Sequence, residues 1–139
     1  MILLDTNVVS ELIKSTPSAA VRAWVLEQGP HQLFTSSITH AEILYGIERL
    51  PRGRRKEQLQ AAVADLFSTF QDHVIAFDAE AATQYAAVVS GRGRLGLPID
   101  GFDAQIAAIC RVHGASLATR NVKDFQSTGI DLINPWPSE

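Results

Sequence analysis

The sequence predicts an α/β fold, a mostly parallel sheet of four to five strands with helices on both faces. Two observations lead there. Short apolar runs alternate along the chain with longer stretches of helical periodicity, the pattern of βα units. Right-handed crossovers between parallel strands then carry the helices to both faces of the sheet. At 139 residues, 46% hydrophobic and 19% charged, the chain suits one compact domain with a real core, and a single domain over 1–139 is expected.

Taken in order, Ile2 to Leu4 is a short strand that stops at Asp5, and Thr6 or Asn7 is placed to cap the helix that follows. Val21, Trp24 and Val25 share one face of a second helix, which Gly29-Pro30 ends. Leu33 to Ser36 reads as a strand. Thr39 and Glu42 have capping-box spacing at the head of a helix through Leu44, Tyr45 and Ile47, which Pro51 and Gly53 break. Leu59, Ala62, Val63, Leu66, Phe67 and Phe70 form the clearest apolar stripe, a core face.

Val74 to Phe77 is expected as a third strand, ending at Asp78, a plain N-cap. Ala82, Tyr85, Ala86 and Val89 mark the next helix, and Gly91 to Pro98, with three glycines and a proline, reads as a loop. Asp100 caps a helix through Ile106, Ala107 and Cys110, closed by His113-Gly114. Ser116 to Thr119 is a fourth strand. Ile130 to Ile133 is a short fifth before Pro135, and Asn121 or Asp124 is placed to cap a short helix between them.

Several function classes drop out early. No basic leader or long apolar stretch opens the chain, so neither a signal peptide nor a membrane span is expected, and the cytoplasm is the natural compartment. A lone cysteine, Cys110, excludes an internal disulfide and reads as a small buried hydrophobe. The four histidines, His31, His40, His73 and His113, show no metal-ligand spacing. The net charge of −3 runs against a nucleic-acid partner, but acids that bind a cation would account for it. Positive charge concentrates at Arg49, Arg52, Arg54, Arg55 and Lys56, and again at Arg92 and Arg94. The first stretch fits a solvated helix connection as well as an RNA contact.

In parallel α/β folds, groups just past the strand C-termini meet at one edge. Here that edge collects Asp5, Glu42, Asp100, Asp103, Asn121 and Asp124. Crowded carboxylates repel in a low-dielectric cleft, and a divalent cation removes the conflict. All-oxygen donors favour Mg²⁺ or Mn²⁺ over zinc, and such an ion assists hydrolysis of a phosphodiester. Each acid also has a structural use. Asp5 could cap a helix, Glu42 could serve the capping box with Thr39, and Asp100 and Asp103 could favour a helix dipole. A receiver-like regulatory domain is a rival, but it needs an acidic neighbour beside Asp5, and there is none.

Four blocks, LLDTNVVSELIK, TSSITHAEILYGIERL, FDAQIAAICRVHGASLATRNVKDF and INPW, together resemble the PIN-domain ribonucleases. The likeness is to VapC-type toxins of type II toxin–antitoxin pairs, in the FitB-like branch, and it spans nearly the whole chain. It implies a PIN-like three-layer sandwich and an endoribonuclease dependent on Mg²⁺ or Mn²⁺, leaving 5′-phosphate and 3′-hydroxyl ends. Implied partners are RNA, a VapB-type antitoxin and a second copy of the chain, with dimers pairing further in the antitoxin complex. The family's three acids fall on Asp5, Glu42 and Asp103, as catalytic and metal-holding residues. Its fourth acidic position falls on Asn121, a departure that leaves Asp124 as a substitute or the site with three acids. Thr6 matches the family's hydroxyl beside the first acid, orienting Asp5 or a water. Asn121 also leaves room for a non-catalytic module that only binds RNA or antitoxin.

Overall fold

The computed structural model describes residues 1–138. In chain order the elements are β1 (Ile2–Leu4), α1 (Thr6–Leu12), α2 (Ala19–Glu27), β2 (Leu33–Ser36), α3 (Ser37–Glu48), α4 (Arg54–Phe70), β3 (Val74–Ile75), α5 (Ala79–Arg94), α6 (Gly101–His113), β4 (Ser116–Ala118) and β5 (Leu132–Ile133). Single 3₁₀ turns at Gln71–His73 and Val122–Phe125 precede β3 and β5. The strands lie in the order β3-β2-β1-β4-β5, all parallel. The strand order reverses beside β1, so the crevice beyond its C-terminal end is where an open α/β sheet binds ligands.

Both faces of the sheet are covered, because adjacent strand residues point opposite ways. Leu3 and Leu117 join Ile106, Ile109 and Cys110 of α6 and Val88 of α5 in one apolar cluster. Leu4 and Ala118 join Val8 and Val9 of α1, Ile43 of α3 and Val63 and Phe67 of α4 in the other. Leu3 and Leu4 have no exposed surface, and burial of such side chains contributes about 1.5–3 kcal/mol each. Six of the seven positions from Ala104 to Cys110 in α6 are buried, all but Gln105, as its place between the sheet and α5 requires. Gly114 ends α6 at φ 61°, the left-handed position that glycine occupies without strain.

Several expectations need correction. The first helix starts at Thr6, one residue early, because Asp5 itself is the N-cap and its Oδ1 accepts from Thr6 N at 2.9 Å. Ser36, not Thr39, caps α3, its hydroxyl accepting from Thr39 N at 3.1 Å, so Glu42 stands beyond the first turn and closes no capping box. Three strands are shorter than expected: β3 stops at Ile75, β4 at Ala118, and β5 begins only at Leu132.

The largest miss is Gly91 to Pro98. Helix α5 runs on through both Gly91 and Gly93 to Arg94. Its buried face is Ala81, Val88 and Arg92 with Tyr85 half-buried, while Ala82, Ala86 and Val89 are exposed. An arginine occupies an apolar slot of that stripe, which hides the true face from a hydrophobicity pattern. Arg92 donates to four carbonyl oxygens: Nε to Leu97 at 2.7 Å, Nη1 to Asp124 at 3.0 Å and Gln126 at 2.6 Å, and Nη2 to Pro98 at 3.3 Å. It is a structural clamp, not part of a basic surface.

The Arg49–Lys56 stretch serves the connection between α3 and α4. Lys56 Nζ donates to the carbonyls of Glu48 and Leu50 at 3.1 and 3.3 Å, satisfying the end of α3. Arg49 lies over the Tyr45 ring, 5.6 Å from its centre. Among the described residues, no helix is long and apolar enough to cross a membrane.

Candidate active site

Five elements deliver the site. β1 ends at Asp5, α1 begins with Thr6, α3 supplies Glu42, α6 supplies Asp103 from its first turn, and the segment after β4 supplies Asn121. All five side chains line one cleft of about 410 Å³ at the C-terminal edge of the sheet. Asp100 and Asp124 are exposed neighbours that do not line it. Asp100 caps α6, accepting from Phe102 N at 2.9 Å and Asp103 N at 3.4 Å. Asn121 holds the N-cap position of its 3₁₀ turn without a side-chain cap bond. Asp78 caps α5 as expected, through Ala81 N at 3.0 Å, and Cys110 is buried, its thiol pushed up to about 12.

A larger hollow of about 940 Å³ lies between the end of α1 and α4, but Asp65 is its only acid. Size does not pick out the chemistry. Charge does.

Asp5 is 4% exposed. Burial raises its pKa, and the Asp124 charge adds to the rise; donors from Thr119 and Thr6 partly offset both. Thr119 Oγ1 donates to Asp5 Oδ2 at 2.8 Å. The same hydroxyl oxygen accepts from Asn121 N at 3.0 Å and Asn7 Nδ2 at 3.3 Å, so its one proton is committed to Asp5. Glu42 is raised by burial and by the charges of Asp5 and Asp100, against the Thr6 hydroxyl, which donates to its Oε1 at 2.9 Å. With that proton spent, the Thr39 hydroxyl donates to Thr6 Oγ1 at 3.1 Å. Thr6 therefore holds Glu42 with its hydroxyl and Asp5 with its backbone N–H.

Asp103 is pushed up to about 7, first by burial, then by the charges of Asp5, Asp100, Asp124 and Glu42. Every neighbour that moves it is an acid. Such a cluster of opposed carboxylates marks a functional cleft more often than a structural one.

The donor set fits a hard divalent ion. The groups lining the cleft that could ligate it are carboxylate, hydroxyl and amide oxygens, and neither His nor Cys lines it. Among the described residues, no three His, Cys, Asp or Glu side chains already close around a common point. Mg²⁺ would need only one or two of these carboxylates directly, with waters completing its shell.

Thr119, Asn7 and Arg120 were invisible to spacing. Each matters through a partner more than a hundred positions away or through the sheet edge itself. The only local signal was that Thr119 to Asn121 directly follow β4.

Comparison with known proteins agrees with this architecture. Residues 2–130 match the PIN domain family. The VapC ribonuclease Y4jK of Sinorhizobium fredii is 38% identical over 137 residues, 98% of each chain. The toxin FitB of Neisseria gonorrhoeae is 34% identical over 140 residues, 98% of this chain and 99% of FitB. A solved structure of FitAB bound to an IR36 DNA fragment superposes with a TM-score of 0.93 at 33% identity, covering 100% of this chain and 98% of that one. A five-stranded parallel sheet with acids gathered at its C-terminal edge, and this likeness from end to end, place the chain in the PIN domain family, among the VapC- and FitB-type proteins.

Proposed function

We propose that the chain is a metal-dependent endoribonuclease that acts in the cytoplasm as the toxin of a toxin–antitoxin pair. One observation carries the reading: Asp5, Glu42 and Asp103, from three separate elements, line one cleft, and the pKa of each of these three is raised. These three acids would hold Mg²⁺, or Mn²⁺ in its place. When bound, the ion supplies the Lewis acidity that hydrolysis of a phosphodiester needs.

The chain's own groups do the remaining work. Thr119 and the Thr6 backbone N–H each satisfy one oxygen of Asp5, fixing the carboxylate plane toward the cleft. The Thr39–Thr6–Glu42 relay does the same for Glu42. Asp103, the least hydrogen-bonded of the three, is pushed up to about 7, so a cation held there would take the place of a proton. No histidine lines the cleft, so the histidine pair that would favour attack by the ribose 2′-hydroxyl has no counterpart there, and a metal-assisted attack by water is the preferred route. Products with 5′-phosphate and 3′-hydroxyl ends follow.

The relatives' names, a VapC ribonuclease and a FitB toxin, support RNA as substrate, and the FitAB complex supports an antitoxin partner. Exposed Tyr45, Leu95 and Phe102 offer apolar surface for a homodimer, which would pair again in an antitoxin complex. Asn121 adds no charge to the cleft, and that favours three acids over four.

Antitoxin-free protein should cleave single-stranded RNA with Mg²⁺ and stop with EDTA, and the fragments should be substrates for a 5′-phosphate-dependent exonuclease. Asp5→Asn and Asp103→Asn should each abolish cleavage. Undiminished cleavage by either variant, or in EDTA, would overturn the assignment, and binding without cleavage by the wild type would favour a non-catalytic module.

A further inference from the structure

The acid cleft has a second kind of wall. β4 and β5 run parallel, Ala118 opposite Ile133, and Thr119 N donates to Ile133 O at 2.8 Å. Both chains therefore leave the sheet at the acidic edge, and Arg120 and Trp136 both line the cleft.

Each is held in place. Trp136 N donates to Asn134 Oδ1 at 3.0 Å, a side-chain turn that sets the indole against the apolar cluster of Leu4 and Val8. The Arg120 guanidinium carbon lies over that indole, 5.1 Å from the ring centre, and the Arg120 backbone N–H donates to Asn7 Oδ1 at 3.3 Å. The arginine is thus fixed at its root and along its head while remaining exposed.

The cleft's other cation is already committed. Lys14 Nζ pairs with Glu11 at 3.0 Å, and the second Glu11 oxygen accepts from Ser18 N at 3.0 Å. Among the described residues that is the one ion pair; Arg120 has no acid within ion-pair distance, and its charge reaches Glu11, already paired with Lys14, only at longer range. The basic stretch from Arg49 to Lys56 contributes nothing to this cleft.

A polyanion approaching the cleft meets Asp5, Glu42 and Asp103, all repulsive. A preorganised guanidinium on the rim is what draws it in, since its planar fork matches two phosphate oxygens and stacking reduces the freedom lost on binding. We infer that Arg120 is a substrate-binding residue that grips a backbone phosphate of the RNA next to the cleaved one, with Trp136 as the positioning residue that aims it. The inference rests on the nuclease reading and names its substrate contact.

The test measures binding apart from cleavage. Affinity of a fluorescent single-stranded RNA is followed by anisotropy in EDTA across a salt series, and KM and kcat are measured separately with Mg²⁺. Arg120→Ala should weaken binding roughly tenfold at low salt and lower the slope of log K against log salt by about 0.7, the loss of one phosphate contact. Its KM should rise with kcat nearly unchanged. Arg120→Lys should keep the slope and recover part of the affinity, because charge survives and the fork does not. Trp136→Phe, which keeps a weaker aromatic face, should lose less affinity than Trp136→Leu, and both should fall between wild type and Arg120→Ala.

Unchanged affinity and slope in Arg120→Ala would overturn the inference, whatever the activity, as would a wild type that fails to bind RNA. If the wild type binds RNA through Arg120 yet never cleaves it, the phosphate contact stands and the nuclease reading falls.

Discussion

Asp5 and Arg92 are each about as buried as the apolar core, 4% and 5% exposed, yet their surroundings differ in kind. Arg92 meets four carbonyl oxygens between 2.6 and 3.3 Å. Those carbonyls belong to Leu97 and Pro98, just before α6, and to Asp124 and Gln126, just after β4. A single guanidinium thus ties together the two segments that carry Asp103 and Asp124. Asp5 has two neutral donors and otherwise faces acids. A buried charge whose hydrogen bonds are complete is part of the scaffold, and one left in the company of like charges is waiting for a ligand. The contrast is one of electrostatic completion, since depth of burial is the same.

The sharpest way to break the contrast is to neutralise each residue and compare activity with stability. Asp5→Asn should reduce RNA cleavage by well over the ~10–100-fold typical of residues that only support a metal ligand. Its melting temperature without metal should hold or rise. Arg92→Leu should do the reverse, costing about 3 kcal/mol of stability in urea titration because buried carbonyls lose their donors. If Asp5→Asn unfolds the protein while Arg92→Leu leaves it stable, the division between site and scaffold is wrong.

Proton linkage sharpens it next. Asp103 is raised from 3.8 to about 7 in the fold, so the folded state binds its proton more tightly than the unfolded chain does. That stabilisation is complete below about pH 4 and is lost as pH rises through about 7. Thermal scans without metal should show the melting temperature falling across that window, the opposite of a protein held by paired carboxylates. Mg²⁺ should restore stability most at pH 8, and Asp103→Asn should flatten the slope. A metal-free melting temperature that rises from pH 4 to 7 in the wild type, and equally in Asp103→Asn, would contradict the crowding of these acids.

The smallest expected effect belongs to the support of Asp5. Thr119→Val removes the hydroxyl that binds Asp5 Oδ2 and should weaken Mn²⁺ affinity by about tenfold, read by paramagnetic relaxation. The accompanying loss of stability should be about 1 kcal/mol. Thr6→Val should act similarly through Glu42.

Much of this was legible in the residues. Apolar runs followed at once by an acid located Asp5, and a capping Asp100 located the helix turn that carries Asp103. Glu42 was collected with the edge acids because it follows the second strand. Its rival reading, a capping box with Thr39, does not form, because Ser36 caps the helix and Glu42 answers to Thr6 from a different strand–helix junction. Helix α5 was read on the wrong face, because a hydrophobicity pattern has no way to score an arginine whose donors are all satisfied inside. Asn7 and Thr119 stand 112 positions apart in the chain and share a hydrogen bond.

The sequence by itself determined the alternation of strands and helices, and hence that acids following strand ends would share one edge of a sheet. Local chemistry suffices for that, because side-chain periodicity and capping act within a few residues. Only the tertiary structure decided which acids enter the cleft and which stay on its rim, which hydroxyl holds which carboxylate, and that Arg92 is interior while Arg120 faces the cleft. Those outcomes depend on burial and on through-space charge, and both are set by neighbours that the chain supplies from far away.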